Sequence, residues 1–295
     1  MNQSRISAVL LALAAANPLL ASAEKDPLRV AVIGASASAG FGCSWRERRD
    51  DGEYLESFRL IDMVECACDG TEFKCLDVAS GFFFFNPERN GATAAKRARD
   101  FGPECVVALD FLFWYCYGDD GPGVDRESLE NEAQRLEKLE LGLKELEAFT
   151  VPLLVGDIPN MQRAVGRMLS PAQMPAAETL AKANARLAEW AKGRANVRIL
   201  PLAAMQESLA TANAITVGDK RLVGTKEAPL LQRDELHPSP QGLAGLACVV
   251  AEAMKDELKE RAGDCPVEPE ATIARAKTRL RKLERPAPAE PPAKK

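Results

Sequence analysis

The sequence is nearly devoid of histidine, with a single residue, His237, among 295 positions. A zinc site of the usual cysteine and histidine type is therefore disfavoured, because Cys66-x-Cys68 also lacks a matching second pair of ligands. We expect no structural metal and no cofactor. His237 is therefore the only imidazole in the sequence that could transfer a proton.

The chain also lacks an excess of basic residues. It carries 38 lysines and arginines against 43 aspartates and glutamates, for a net charge of -5. A nucleic-acid partner is not expected, because binding to phosphates requires a basic surface. The length and a hydrophobic content of 46% suit one sizeable core rather than several. A small-molecule substrate fits this composition best, and the sequence leaves the oligomeric state open.

A long apolar run is missing as well. The N-terminal apolar run, residues 6–16, is shorter than the roughly 20 residues of a membrane-spanning helix, and Pro18 soon follows it. Arg5 precedes the run, and three small residues ending at Ala23 come after it. This order predicts a secretory signal peptide over residues 1–23, cleaved after Ala23. The processed protein is expected to be periplasmic or secreted, without stable insertion in a membrane.

Export would give the eight cysteines an oxidising environment in which they can pair, although the sequence does not fix their connectivity. Three of them lie in apolar runs and are expected to be buried free thiols: Cys105, Cys116 and Cys248. No cysteine follows the cleavage site directly, which disfavours a lipoprotein.

Beyond the signal, short apolar runs alternate with helical stretches. The runs are nearly continuous in apolar residues, which is typical of parallel strands buried on both faces. We predict five strands, over residues 28–34, 73–79, 105–115, 151–157 and 196–202. Helices are expected in a segment ending near Cys66 and over residues 87–101, 125–149, 175–192 and 239–261. The pattern predicts an α/β fold in which helices enclose a parallel sheet.

This domain is predicted to cover residues 24–265. Beyond it the composition shifts to a basic helical piece over residues 273–283 and then to a stretch rich in proline and alanine. Such a composition has little apolar surface to bury, so residues 266–295 are expected to form a basic, disordered tail.

A serine stands directly after the first predicted strand. The segment from Gly34 to Gly40 contains only glycine, alanine and serine, and Ser36 lies within it. Ligands of open α/β sheets bind at the carboxyl ends of the strands, and small neighbours let a carbonyl group approach the hydroxyl. N–H groups at the start of a following helix can stabilise an oxyanion. A phosphate-binding loop is the alternative, but Gly-x-Gly-x-x-Gly and Gly-Lys-Ser/Thr patterns are both missing.

A nucleophilic serine needs a base, and His237 follows Asp234 in the segment before the last predicted core helix. A loop there can set the carboxylate against one ring nitrogen and leave the other free. A structural histidine is the alternative. The Asp-x-x-His spacing, Pro238 after it and the small-residue serine loop favour catalysis. Ser36, Asp234 and His237 are therefore the predicted catalytic residues.

The sequence GASAS from Gly34 to Ser38 resembles the GDSLS block of the SGNH/GDSL hydrolases, and Asp234-x-x-His237 resembles their closing block, in the same order along the chain. The resemblance extends over about residues 28–261. It implies a three-layer α/β/α sandwich with a central five-stranded parallel sheet. It also implies hydrolysis of carboxylic esters or thioesters through an acyl-enzyme.

In this family the oxyanion hole combines the N–H of the nucleophilic serine, here Ser36, with a glycine N–H and an asparagine amide. Gly81, after the second predicted strand, is the candidate glycine, and Gly91 is its rival. The asparagine is missing, because the corresponding segment begins with Asp110. Ala35 also stands where the family carries an aspartate.

Two aromatic residues offer a replacement for the missing amide. The indole N–H of Trp114 or the hydroxyl of Tyr115 can donate in its place, and apolar burial of both is the alternative. The aromatic runs over residues 82–85 and 111–117 either pack in the core or wall an acyl or aryl pocket. The carboxylates of Asp110 and Asp157 are expected near the site or as capping groups.

The missing amide keeps a second class of function open, a non-catalytic binding protein on the same fold. A third hypothesis is a carbohydrate O-acetyl esterase. It differs from the predicted ester or thioester hydrolase only in its substrate.

Overall fold

The computed structural model describes residues 26–118, 125, 127–262 and 267–283. The strands within these ranges are Leu28–Val32 (β1), Ser44–Arg49 (β2), Gly52–Ser57 (β3), Phe73–Asp77 (β4), Cys105–Ala108 (β5), Leu153–Gly156 (β6), Val197–Leu200 (β7), Ala214–Val217 (β8), Lys220–Val223 (β9) and Arg281–Lys282 (β10). The central sheet has the order β4-β1-β5-β6-β7, and its strands are all parallel. The predicted five-stranded parallel sheet is confirmed, because each of these strands lies inside its predicted range.

Helices cover both faces of this sheet. The helices in the described ranges are Leu60–Ala67 (α1), Pro87–Phe101 (α2), Phe113–Tyr117 (α3), Leu129–Glu147 (α4), Ala177–Lys192 (α5), Leu202–Ala212 (α6), Pro240–Leu258 (α7) and Pro269–Thr278 (α8). On one face, α1, α6, α7 and α8 share an apolar core with Val30 and Val32 of β1. On the other face, α2, α3, α4 and α5 share a second core with Ala31 and Ile33. Successive residues of β1 thus serve opposite faces, and the predicted three-layer sandwich is confirmed.

The third predicted strand is wrong beyond Ala108. There the chain leaves the sheet, and the aromatic run forms α3, whose five side chains are all buried. The turn between them starts at Asp110, whose carbonyl accepts a hydrogen bond from Phe113 N–H (3.3 Å). Hydrophobic periodicity alone does not separate a buried strand from a short buried helix, which explains the error.

The prediction that residues 266–295 form a disordered tail is wrong for the part that the structure describes. Helix α8 packs against α1 and α7. Its Thr272 and Ala276 are completely buried, and the Thr272 hydroxyl lies 3.3 Å from the Cys248 thiol of α7. The few small side chains of this helix fit a groove already supplied by the domain, so low apolar content did not prevent packing.

Some secondary-structure elements could not be predicted from the pattern of apolar residues. The hairpin β2–β3 is largely charged, pairs antiparallel, and extends to β10 at the C-terminal end of the described chain. A second hairpin, β8–β9, and helix α6 were also not predicted. The predicted signal peptide, residues 1–23, and the last residues, 284–295, lie outside the described residues. No helix within the described ranges is long and apolar enough to cross a membrane.

Candidate active site

Ser36 lies in a tight turn at the carboxyl end of β1. The Ser36 carbonyl accepts a hydrogen bond from Phe41 N–H, and the Ala35 carbonyl accepts one from Ala39 N–H, both at 2.9 Å. Gly40 adopts φ +71°, and a Cβ there would lie 1.9 Å from the Phe58 carbonyl oxygen. Only glycine meets both conditions. The segment is a series of turns rather than the start of a helix, contrary to the expectation from the sequence.

The carboxylate of Asp110 holds this turn in place. It accepts hydrogen bonds from the N–H groups of Ala35 (2.9 Å), Ala37 (2.9 Å) and Ser38 (3.1 Å), and from the Ser38 hydroxyl (2.6 Å). Asp110 is buried, as is Ser38. Four donors on one carboxylate compensate for its burial, because charge-assisted hydrogen bonds are the stronger ones. The expectation that Asp110 lies near the site is met, and its contacts explain why the chain turns at this residue.

The structure brings Ser36, His237 and Asp234 together. His237 Nε2 lies 2.8 Å from Ser36 Oγ, although the two residues are 201 positions apart. On the other side of the ring, His237 Nδ1 lies 2.7 Å from Asp234 Oδ2. The ring is almost completely buried, with 3% of its surface exposed. A carboxylate that accepts from Nδ1–H leaves Nε2 free to take the serine proton.

The Asp-Glu-Leu-His turn is built around the second oxygen of Asp234. Asp234 Oδ1 accepts from the N–H groups of Leu236 (2.9 Å) and His237 (3.0 Å). Glu235, which directly follows Asp234, adopts φ +59°, a left-handed conformation uncommon for a residue with a Cβ. Burial works against the ionised form of Asp234, but the hydrogen bonds from His237 and Leu236 outweigh it and hold the pKa of this carboxyl below its ordinary value.

Gln232 ties the serine turn to the histidine loop. Its side-chain N–H group donates to the Phe41 carbonyl (2.7 Å) and to the Pro238 carbonyl (2.8 Å). Its backbone N–H donates to the His237 carbonyl (2.9 Å). The Phe41 ring packs on the His237 ring, with 4.6 Å between their centroids. These contacts fix the distance between Ser36 and His237, and no sequence pattern indicated them.

The neighbouring Cys43 does not compete as a nucleophile. Burial, followed by the charge of Asp234, raises the pKa of this thiol to about 12. Its Sγ donates to the Pro238 carbonyl (3.2 Å). A protonated, buried thiol is unreactive, so Cys43 is not a rival to Ser36 as the candidate nucleophile. The predicted free thiols Cys105, Cys116 and Cys248 are observed as buried free cysteines.

The two candidate oxyanion glycines have different surroundings. Gly81 follows β4 next to the serine turn, since the N–H of its neighbour Ser80 donates to the Gly34 carbonyl (3.0 Å). In the part of the chain that the structure describes, the N–H groups of Gly81 and Ser36 donate to no protein acceptor. Both are therefore available to a developing oxyanion.

The Gly91 prediction is wrong. This residue lies inside α2, where its N–H belongs to the helical hydrogen-bond pattern. A Cβ on Gly91 would come within 2.0 Å of the Tyr115 hydroxyl. Glycine is required here for the packing of that tyrosine.

The predicted replacements for the missing asparagine amide are buried in the aromatic core. Trp114 and Tyr115 belong to α3, and the Tyr115 hydroxyl has no hydrogen-bond partner among the described residues. Neither group is seen beside Ser36. Asp157 is a capping group, whose carboxylate accepts from Ala203 N–H (2.6 Å) at the start of α6. Among the described residues, no three histidine, cysteine or acidic side chains form a cluster that could hold a metal ion.

No protein-family model and no curated sequence matches the chain. Among solved structures, it is similar to a gut microbial diltiazem-metabolizing enzyme, with 12% identity, a TM-score of 0.46, and coverage of 78% of this chain and 47% of that one. The chain thus spans about half the length of that enzyme. It is also similar to TesA, with 15% identity, a TM-score of 0.42, and coverage of 78% and 98%.

A third similar structure is the psychrotrophic esterase EstA from Pseudoalteromonas sp. Its identity is 12%, its TM-score is 0.40, and the coverage is 79% of this chain and 97% of that one. At such identities and TM-scores the similarities carry no argument about the reaction. The chemistry is therefore inferred from the geometry of the side chains.

Proposed function

We propose that the protein is a serine hydrolase of the SGNH/GDSL type that cleaves carboxylic esters or thioesters. The observation that carries this proposal is the unbroken hydrogen-bond chain from Ser36 Oγ to His237 Nε2 (2.8 Å) and from His237 Nδ1 to Asp234 Oδ2 (2.7 Å). This chain sits at the carboxyl end of a parallel strand, where open α/β sheets place their ligands.

In the first half of the reaction Ser36 Oγ attacks the carbonyl carbon of the ester. The hydroxyl proton passes to His237 Nε2, and Asp234 stabilises the imidazolium through Nδ1–H. The resulting oxyanion accepts hydrogen bonds from the N–H groups of Ser36 and Gly81. The bond to the leaving oxygen or sulfur then breaks, and His237 gives its proton to the leaving group. Water repeats these steps on the acyl-enzyme and releases the acid.

The oxyanion hole of this mechanism is built from two backbone donors. Losing one oxyanion donor costs about 3 kcal/mol of transition-state stabilisation in a typical serine hydrolase. We therefore expect slow turnover, about 100-fold below that of an enzyme with a third donor.

The test is hydrolysis of short p-nitrophenyl esters by the purified protein and two serine variants. Ser36→Ala is expected to abolish turnover and to leave the melting temperature unchanged, because His237 is the only partner of this hydroxyl among the described residues. Ser57→Ala, at the exposed last residue of strand β3, is the matched control and is expected to keep full activity. Unchanged turnover in Ser36→Ala would contradict the assignment.

A second candidate function is a non-catalytic binding protein on the same fold. The observation that favours it is Asp110, which accepts hydrogen bonds at the place where the related hydrolases carry a donor. A fluorophosphonate probe separates the two functions, because it reacts with an activated serine and leaves an inert one unlabelled.

A further inference from the structure

An aromatic surface lies exposed next to the site. Four of the large hydrophobic side chains that the structure leaves exposed are phenylalanines, and they come from the two loops beside Ser36: Phe41, Phe82, Phe84 and Phe85, at 44%, 70%, 40% and 74% exposure. Clusters of exposed aromatic rings are uncommon on soluble proteins and mark sites of binding. The loops gain no stability from rings that face water, so a ligand is the natural partner of this surface.

Two of these rings line a cavity of about 490 Å³. Its lining combines Phe84 and Phe85 with Trp114 and Tyr115 of α3, and it also includes polar residues such as Lys138 and Gln173. The rings of Phe84 and Trp114 are 5.5 Å apart and tilted by 46°, and those of Phe84 and Phe85 are 4.3 Å apart. Centroid spacings in this range are those of favourable aromatic pairs. The size matches pockets that take small organic ligands.

A series of contacts between neighbouring residues leads from His237 to the cavity. Phe41 packs on the ring of His237 at 4.6 Å, and a Cβ on Gly81 would lie 3.8 Å from the Phe41 ring. Phe82 follows Gly81 in the chain and stacks on Phe85, a lining residue of the cavity, 6.0 Å away. The loop that carries the candidate oxyanion donor Gly81 thus continues into the lining of the cavity.

The lining is not uniformly apolar. Asn86 and Glu88, at the start of α2, share the cavity with the rings. The Tyr115 hydroxyl is enclosed against α2, because a Cβ on Gly91 would lie 2.0 Å from it, but the Trp114 indole N–H donates to no acceptor among the described residues. A long alkyl chain would leave this N–H unpaired, which is costly, whereas a polar substituent on a flat ring would pair with it.

We propose that this cavity binds the acyl group of the substrate and that this group is an aromatic ring with a polar substituent, such as a hydroxyaryl acid. The inference rests on the proposed ester hydrolysis at Ser36. It assigns substrate selection to Phe84, Phe85 and Trp114.

The first experiment compares kcat/KM for the ethyl esters of 4-hydroxycinnamic, acetic and octanoic acids. The hydroxyaryl ester is expected to be the best of the three. Phe85→Ala and Phe84→Ala are each expected to raise KM for it by about 3- to 10-fold, the range of one aromatic pair, and to lower kcat/KM for the acetate by a smaller factor. Val223→Ala, which removes an exposed hydrophobic side chain on β9, is the control and is expected to change nothing.

The second experiment measures binding without turnover. Ethyl 4-hydroxycinnamate is titrated calorimetrically into the Ser36→Ala variant and into the double variant Ser36→Ala/Phe85→Ala. Binding that weakens in the double variant supports the aryl site even if the wild-type protein hydrolyses no ester, an outcome that would remove only the proposed function. Equal or tighter binding of ethyl octanoate, or equal affinity in both variants, would overturn the aryl site and leave the triad untouched.

Discussion

At the scale of single residues, the site depends on carboxylates with separate tasks. Asp234 contacts Nδ1 of His237, the proposed base, whereas Asp110 binds the turn that carries Ser36, the proposed nucleophile. The first task was predictable from the Asp-x-x-His spacing. The second was not, because only the three-dimensional turn places three N–H groups and one hydroxyl around an aspartate 72 to 75 positions away. The available signal was an aspartate directly after a buried strand.

Asp110→Asn provides a direct check of the turn-holding task. The amide of asparagine keeps one acceptor oxygen but replaces the other with an N–H₂ group. The donors of the serine turn that contacted the replaced oxygen would then have no acceptor. We expect kcat to fall at least 10-fold with little change in KM, and the free energy of unfolding to fall by about 1–3 kcal/mol. Steady-state kinetics and urea unfolding measure the two effects. Asp219→Asn, in the exposed turn between β8 and β9, is the control.

Substitution of Asp234 should give a stability effect that depends on pH. A carboxyl whose pKa is lowered by folding stabilises the protein above its ordinary pKa of 3.8, and this contribution disappears as the pH falls through the lower folded value. Asp234→Asn is thus expected to be less stable than wild type at pH 7, with the gap closing towards pH 3. Thermal melting across this range measures the gap. A gap that stays constant with pH would contradict the assigned role of the charge.

The oxyanion donors show where residue-level prediction is limited. Gly81 and Gly91 are both glycines shortly after the second strand of the central sheet, and sequence position does not rank them. The difference is conformational: Gly91 is helical and makes room for Tyr115, whereas Gly81 lies in the turn that contacts the serine loop. Gln232 was missed for a similar reason, since polar side chains that bridge two loops leave no periodic pattern.

At the scale of secondary-structure elements, the buried strands were predictable and the charged hairpins were not. Each central strand is a short apolar run, because both of its faces are covered by helices. The hairpin β2–β3 has no such signature, since it is formed by antiparallel pairing between largely polar residues, although Trp45 and Tyr54 pack against the first core. The helical structure of α8 was predicted, but its position was not. It packs against α1 and α7, which no local sequence pattern indicates.

Truncation tests the contribution of α8. Removing residues 267–295 deletes buried contacts of Thr272 and Ala276 and exposes the apolar surface of α1 and α7 beneath them. We expect the midpoint of urea unfolding to fall clearly, and the m-value to change with the exposed area. Removing only residues 284–295 keeps every described contact and is expected to leave the midpoint unchanged. Equal midpoints for both truncations would contradict a structural role for α8.

At the scale of the whole molecule, the fold acts by bringing together two segments that are remote in sequence. Ser36 follows the first strand of the chain and His237 precedes the last helix of the main domain, yet they meet at one edge of the sheet. The loop before α7 is held against the serine turn by the side chain of Gln232, which donates to the Phe41 and Pro238 carbonyls. Family resemblance indicated the pair, and the fold supplies the physical reason for their contact.

Export is also a prediction about the whole molecule. Cleavage after Ala23 would leave the intact domain, since β1 begins at Leu28. N-terminal sequencing of protein expressed with its leader in a bacterial host is expected to start at Glu24, with the processed protein found outside the cytoplasm. Full-length protein retained in the cytoplasm would contradict this prediction.

The central claim is that His237 activates Ser36, and intact-protein mass spectrometry after treatment with a fluorophosphonate tests it most directly. We predict a single adduct, located by peptide mapping on Ser36, which is lost in Ser36→Ala and strongly slowed in His237→Ala. Val223→Ala, which removes an exposed hydrophobic side chain on β9, is expected to keep the adduct. A protein that forms no adduct, or forms one on a different serine, would contradict the claim.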